Sequence, residues 1–234
     1  MSLRSSYFPL FLPLLLLLLL LAHVSIGDLS PSSLLSKSSN RTKLHVTAVY
    51  HAAIDPDYEG KWAIIEGQMK DARDHGLFGV LVEFHVILCT AANRSLASTE
   101  TLKEGRQIID EIVQNATRVV YYWHYDVRNE FHSLYIFRSL ADDSVHPDSS
   151  VILYFHTKGM YNHHPSFIGR TPMNIRLTDR VIKQVPYILN EFARNVDLDI
   201  AGLAPSCVGF VWFNFFWARA RVWTILVCFS LFYV

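Results

Sequence analysis

Segments typical of strands alternate with segments typical of helices from residue 44 to about residue 204. The predicted strands are 44–50, 80–89, 118–125, 150–155 and 200–203. Between them, apolar residues recur at helical spacing, as at Trp62, Ile65, Met69 and Ala72. This order predicts one α/β domain with a Rossmann-like, largely parallel sheet and helices on both faces.

Proline and glycine set helix boundaries within this pattern. Asp55-Pro56 predicts the start of the first helix, because aspartate caps helices and proline fits their first turn. Gly76 predicts the end of that helix, since glycine accepts the left-handed conformation that often follows a helix. Apolar spacing from 181 to 192 predicts a later helix that is kinked near Pro186.

The strongest candidate site directly follows the predicted strand 150–155. Its four residues are His156, Thr157, Lys158 and Gly159. In parallel sheets, ligands bind beyond the carboxyl ends of the strands. A lysine there neutralises phosphate, a histidine donates a hydrogen bond or moves a proton, and a glycine admits a close approach. The alternative is an ordinary polar loop with a solvated lysine.

The second candidate is the aromatic stretch 209–221, which contains Asn214, Trp217, Arg219 and Arg221. Aromatic faces beside an amide are suited to sugars, which present apolar C–H faces and rims of hydroxyl groups. The alternative is a core strand whose asparagine binds the backbone.

Together, these two segments resemble an uncharacterised family of glycosyltransferase-like proteins. Its members have an apolar strand that ends in a His-Thr-Lys-Gly-type motif and, later, an Asn-Phe-Trp-Trp-Ala-Arg-type motif. Here the two motifs occupy 156–159 and 214–219, and the resemblance covers roughly 44–223. It implies an A-type nucleotide-diphospho-sugar transferase fold that takes a nucleoside diphosphate sugar as donor.

The resemblance also implies a role for each motif residue. His156 and Lys158 would be catalytic and face the donor phosphates, and Thr157 and Gly159 would bind the donor. The implied acceptor-binding or sugar-binding residues are Asn214, Trp217 and Arg219. Members of the family run on past the second motif, so the apolar tail 222–234 predicts a C-terminally truncated chain. A final core strand is the alternative for that tail.

Metal use is the open point of this resemblance. A-type transferases commonly place an Asp-X-Asp string after a middle strand to hold a divalent ion, and this chain has His-Thr-Lys-Gly there. Its Asp-X-Asp strings, 55–57 and 197–199, are predicted at a helix start and at the end of a helix that precedes a strand. We therefore assign no metal ligand and leave the need for Mn²⁺ or Mg²⁺ open. We expect Lys158 to supply part of the positive charge that a diphosphate requires.

The N-terminus predicts entry into the secretory pathway. Arg4 precedes an apolar core that includes eight consecutive leucines at 14–21, and small residues follow at Ser25 and Gly27. Cleavage as a signal peptide and retention as a membrane anchor are both open, because 7–26 could just span a bilayer. The predicted organisation is a signal or anchor at 1–27, a serine-rich stem at 28–43, the α/β domain at 44–221 and the tail.

Other features agree with a lumenal glycoprotein. Asn40, Asn93 and Asn115 each begin an Asn-X-Ser/Thr acceptor sequence. The chain has 21 basic and 21 acidic residues, and this balance offers no bulk attraction to nucleic acid. Cys89 lies in an apolar run and is predicted to be a buried thiol, although this compartment would allow a disulfide with Cys207.

Two functions follow from these observations. The first is sugar transfer from a nucleotide-sugar donor to a glycan or protein acceptor in the Golgi or endoplasmic reticulum. The second is a catalytically inactive glycoprotein, membrane-anchored or secreted, that binds a sugar or a partner.

Overall fold

The apolar segments form one six-stranded sheet flanked by helices in the computed structural model of the chain. The structure describes residues 42–90, 96–114, 116–125, 130–157, 169–202 and 215–222. Contacts divide the chain into residues 1–40 and 41–234, and every described residue belongs to the second unit. The predicted signal or anchor, nearly all of the predicted stem and the three predicted glycosylation sites Asn40, Asn93 and Asn115 lie outside the described residues.

Strands and helices alternate as the sequence predicts. The strands are β1 (His45–Ile54), β2 (Glu83–Thr90), β3 (Arg118–His124), β4 (Ser150–His156), β5 (Ile200–Gly202) and β6 (Phe216–Arg219). The helices are α1 (Lys61–Asp74), α2 (Leu96–Val113), α3 (Phe131–Asp142), α4 (Pro172–Val181) and α5 (Val185–Arg194). None of the helices within these ranges is long and apolar enough to cross a membrane.

The sheet has the strand order β3-β2-β1-β4-β6-β5. β1 pairs in parallel with β2 and with β4, and β2 pairs in parallel with β3. β6 runs antiparallel to both of its neighbours. The predicted α/β class is therefore confirmed, and the sheet is mixed through one short antiparallel strand.

Apolar layers cover both faces of the sheet. Side chains of a strand alternate between faces, so Ala48 and Tyr50 face one layer and Val49 faces the other. The layer around Tyr50 contains residues of α1, α2, α4 and α5, and the layer around Val49 contains Phe137 and Ala141 of α3. The predicted placement of helices on both faces is confirmed.

Two of the predicted helix boundaries are wrong. Asp55-Pro56 does not begin α1, which starts at Lys61. The Asp55 carboxylate instead accepts the backbone N–H of Asp57 at 3.0 Å, which closes a turn. Near Pro186 there are two helices rather than one kinked helix, because proline fits the first turn of α5 without losing a hydrogen bond. The predicted stop at Gly76 is confirmed, since its φ of 77° follows the end of α1.

Arg219 of β6 joins several elements at the amino edge of the parallel strands. It pairs with Val151 near the start of β4 and is only 1% exposed. Its guanidinium donates hydrogen bonds to the carbonyls of Leu198, Phe192, Asn195 and Asp148. One side chain thus fixes the end of α5, the entry to β5 and the entry to β4.

We expect Arg219→Leu to lower the free energy of unfolding by about 3 kcal/mol or more, because buried carbonyls would lose a charged donor. The matched control is Arg221→Leu, which removes ion pairs to the exposed carboxylates of Asp148 and Asp199. Arg221→Leu should lower the free energy of unfolding by no more than about 1 kcal/mol. Urea unfolding measures both values, and equal losses would contradict the structural role of Arg219.

Candidate functional site

The strand order reverses between β1 and β4. From β1 the chain continues to β2 and β3 on one side and then returns to β4 on the other side. In open α/β sheets, such a switch point leaves a crevice beyond the carboxyl ends of the strands, where ligands bind. His51 of β1 and His156 of β4 are paired across this point. The His-Thr-Lys-Gly motif therefore begins at the switch point.

Thr157 extends the pairing of β4 with β1 beyond the last strand residue. Its backbone N–H donates to the carbonyl of His51 at 3.0 Å. Its hydroxyl accepts the N–H of Ala53 at 2.9 Å and donates to the carbonyl of Ala53 at 3.0 Å. The hydroxyl of Thr157 thus binds the backbone of β1. Its predicted contact with a donor has no support in this placement.

His156 is held on two sides. Its carbonyl accepts a hydrogen bond from the buried amide of Gln68 in α1 at 2.9 Å. Its ring packs against Phe215 with centroids 4.7 Å apart, and Nδ1 lies 3.6 Å from Oε1 of Glu130 at the start of α3. The side chain is 5% exposed. The predicted site residue is therefore a buried, oriented imidazole beside a carboxylate.

The segment 158–168, with the predicted site residues Lys158 and Gly159, lies outside the described residues. Both of its neighbours are fixed near the end of β1. Thr157 precedes it, and Gly169, which follows it, exchanges hydrogen bonds of 2.7 and 3.1 Å with the Tyr58 hydroxyl. A side chain at Gly60 would come within 2.2 Å of the Gly169 nitrogen, so glycine is needed for this approach.

A row of polar side chains crosses the carboxyl edge on the α3 face. It consists of His124 on β3, Cys89 on β2, His51 on β1 and His156 on β4. The His51 Nδ1 atom lies 2.6 Å from the Ser133 hydroxyl and 4.0 Å from the Cys89 sulfur. Cys89 is buried as predicted, and Cys207 lies outside the described residues.

Protonation differs along this row. Burial first, and electrostatic repulsion from the neighbouring His156 second, lower the pKa of His51 to about 4. Burial and the stacked ring of His132, 3.9 Å away, lower the pKa of His124. His51 is therefore neutral at neutral pH and serves as a hydrogen-bonding group beside Ser133.

The second predicted motif does not lie at this edge as a whole. Phe215 packs on His156, and Asn214, which precedes it, lies outside the described residues. Trp217 is buried, and its indole N–H donates to the carbonyl of Val181 at 2.9 Å. Arg219 pairs with Val151, five residues before His156, which corresponds to about 16 Å along the strand. The predicted acceptor roles of Trp217 and Arg219 have no support in these positions.

The two Asp-X-Asp strings lie in a turn before α1 and in the segment between α5 and β5. Asp55 closes its own turn, and Asp199 lies at the opposite edge in an ion pair of 2.7 Å with Arg221. Within the described ranges, no three side chains of His, Cys, Asp or Glu are placed to hold a metal ion. The string 197–199 precedes a strand as predicted, but it does not end a helix, because α5 ends at Arg194.

Sequence reasoning missed His51, Glu130 and Ser133. His51 directly follows the predicted strand 44–50, so the rule that singled out His156 would also have found His51. Glu130 and Ser133 carry no such signal, because their role depends on the face that α3 turns to the sheet.

We expect His51→Asn to flatten the pH dependence of stability. The fold keeps His51 neutral, whereas the unfolded chain takes up a proton on this residue below about pH 6.5. The free energy of unfolding therefore falls as the pH drops from about 6.5 toward 4. The unmodified protein should lose about 3 kcal/mol from this group over that range. Urea unfolding at several pH values measures the loss, and parallel curves for the two proteins would contradict it.

Comparison of the chain with protein-family models, with curated proteins and with solved structures finds no match.

Proposed function

We propose that the chain is a glycosyltransferase-like protein with an A-type fold, which transfers a sugar from a nucleotide-sugar donor to a glycan or protein acceptor. One observation carries the proposal: the motif at 156–159 begins at the carboxyl end of β4, where the strand order reverses and β4 pairs with β1. That crevice is where α/β sheets bind nucleotides.

The chemistry of the motif suits a diphosphate. The leaving diphosphate carries negative charge that opposing positive charge must stabilise. In the proposed site, Lys158 supplies a cation, His156 supplies a hydrogen bond, and the backbone at Gly159 approaches the phosphates. The hydrogen bonds of Thr157 to β1 support this arrangement, because they fix the backbone directly before Lys158.

The acceptor side of the proposal rests on Asn214. This residue immediately precedes Phe215, which packs on the His156 ring. Trp217 and Arg219 are left out of the acceptor site, since both bind backbone carbonyls inside the fold. The acceptor would thus enter from the β6 side of the switch point.

The N-terminal segment supports a place in the secretory pathway. An arginine followed by an apolar core directs export, whether it is cleaved or kept as an anchor. The proposed location is the lumen of the Golgi or endoplasmic reticulum, or secretion after cleavage. Glycans at Asn40, Asn93 and Asn115 belong to this proposal.

Titration calorimetry with UDP-glucose and GDP-mannose, with and without Mn²⁺, tests donor binding. We expect Lys158→Ala to weaken binding at least about tenfold, because it removes a charge-assisted contact to phosphate. The matched control Lys70→Ala removes an exposed lysine that is paired with Glu66, and it should bind as the unmodified protein does.

Equal affinity of the Lys158→Ala protein would remove Lys158 from the site. Failure of the unmodified protein to bind any nucleotide sugar would refute the proposed function. Donor binding without sugar transfer or donor hydrolysis would support the alternative, an inactive sugar-binding glycoprotein.

A further inference from the structure

The first turn of α3 contacts both histidines of the switch point. Ser133 lies 2.6 Å from the His51 ring, and Glu130 lies 3.6 Å from the His156 ring. These contacts connect α3 to β1 near its carboxyl end and to the last residue of β4. The beginning of this helix is therefore part of the candidate site.

The Glu130 carboxylate is turned toward the sheet. Glu130 occupies the position that caps α3, yet its side chain makes no capping hydrogen bond. Its Oε2 atom instead accepts the hydroxyl of Tyr154 at 3.1 Å, and Oε1 faces Nδ1 of His156. The carboxylate is 28% exposed, so this interaction is only partly screened by water.

Of the two neighbouring histidines, His156 rather than His51 is placed against the negative charge of Glu130. Burial lowers the pKa of His51 to about 4, so His51 is neutral at neutral pH and offers Glu130 no positive charge. His51 is instead bonded to Ser133. His156 is the ring placed against the carboxylate itself.

We propose that Glu130 is a positioning residue, whose carboxylate orients the His156 imidazole and favours its protonated form toward the anionic diphosphate of the donor. This role rests on the proposed function. With Nδ1 facing Glu130, the ring meets the donor through Nε2. Tyr154 fixes the carboxylate from the other side, as outer groups often fix a functional histidine.

The groups that face His156 define its expected titration. Among the residues that the structure describes, these groups include Glu130 on α3, Tyr154 on the same strand, His51 on β1 and the apolar ring of Phe215. Among these, Glu130 alone is an anion at neutral pH, and an opposite charge at this distance favours the protonated imidazole. Removal of the carboxylate should therefore make His156 easier to deprotonate.

The test is an NMR titration of the histidine rings in the full chain. In Glu130→Gln, the midpoint of the His156 titration should move to lower pH by about one unit. The control Asp142→Asn removes a carboxylate at the far end of α3, which is paired with Arg138 at 3.2 Å, and should leave that midpoint in place. An unchanged midpoint in Glu130→Gln would overturn the proposal.

A second measurement needs no variant. In the unmodified protein, the His156 ring signals should show a further inflection at acidic pH, where Glu130 takes up its proton. Absence of that inflection would also overturn the proposal. Neither readout requires a donor, so a titration that depends on Glu130 without donor binding would keep this inference and refute the proposed function. Donor binding combined with a His156 titration that does not depend on Glu130 would refute this inference and leave the proposed function standing.

Discussion

Parallel pairing of β1 with β4 is the constraint on which the rest of the structure depends. It aligns His51 with His156 and places Thr157 against Ala53, so the carboxyl-terminal parts of both strands lie side by side at one edge. β1 is buried on both faces, and its register therefore determines which side chains face each apolar layer. A shift of β1 by one residue against β4 would move His51 to the face opposite His156.

The two edges of the sheet differ in character because of this pairing. At the amino edge, Arg219 donates hydrogen bonds to backbone carbonyls and so fixes the segments that lead into β4 and β5. At the carboxyl edge, the side chains of His51 and His156 contact Ser133 and Glu130 at the start of α3. In open α/β sheets, ligands bind at the carboxyl edge.

The sequence predicted the parts of this arrangement that depend on local pattern. The end of β4 was recognisable because an apolar strand stops at a histidine, and the alternation of elements predicted the α/β class. The start of α1 was not recognisable, because an aspartate that closes a turn, as Asp55 does, cannot be told from an aspartate that caps a helix by sequence alone. The roles of Arg219 and Glu130 depend on partners from distant parts of the chain, which no local pattern reveals.

Amide hydrogen exchange with and without a saturating nucleotide sugar, UDP-glucose or GDP-mannose, tests the central claim most directly. A ligand at the switch point should slow exchange at 51–54 and at 156–157 and leave 45–47 and 150–151 unchanged. Protection confined to the amino edge, or no protection with either sugar nucleotide, would contradict a binding site between β1 and β4.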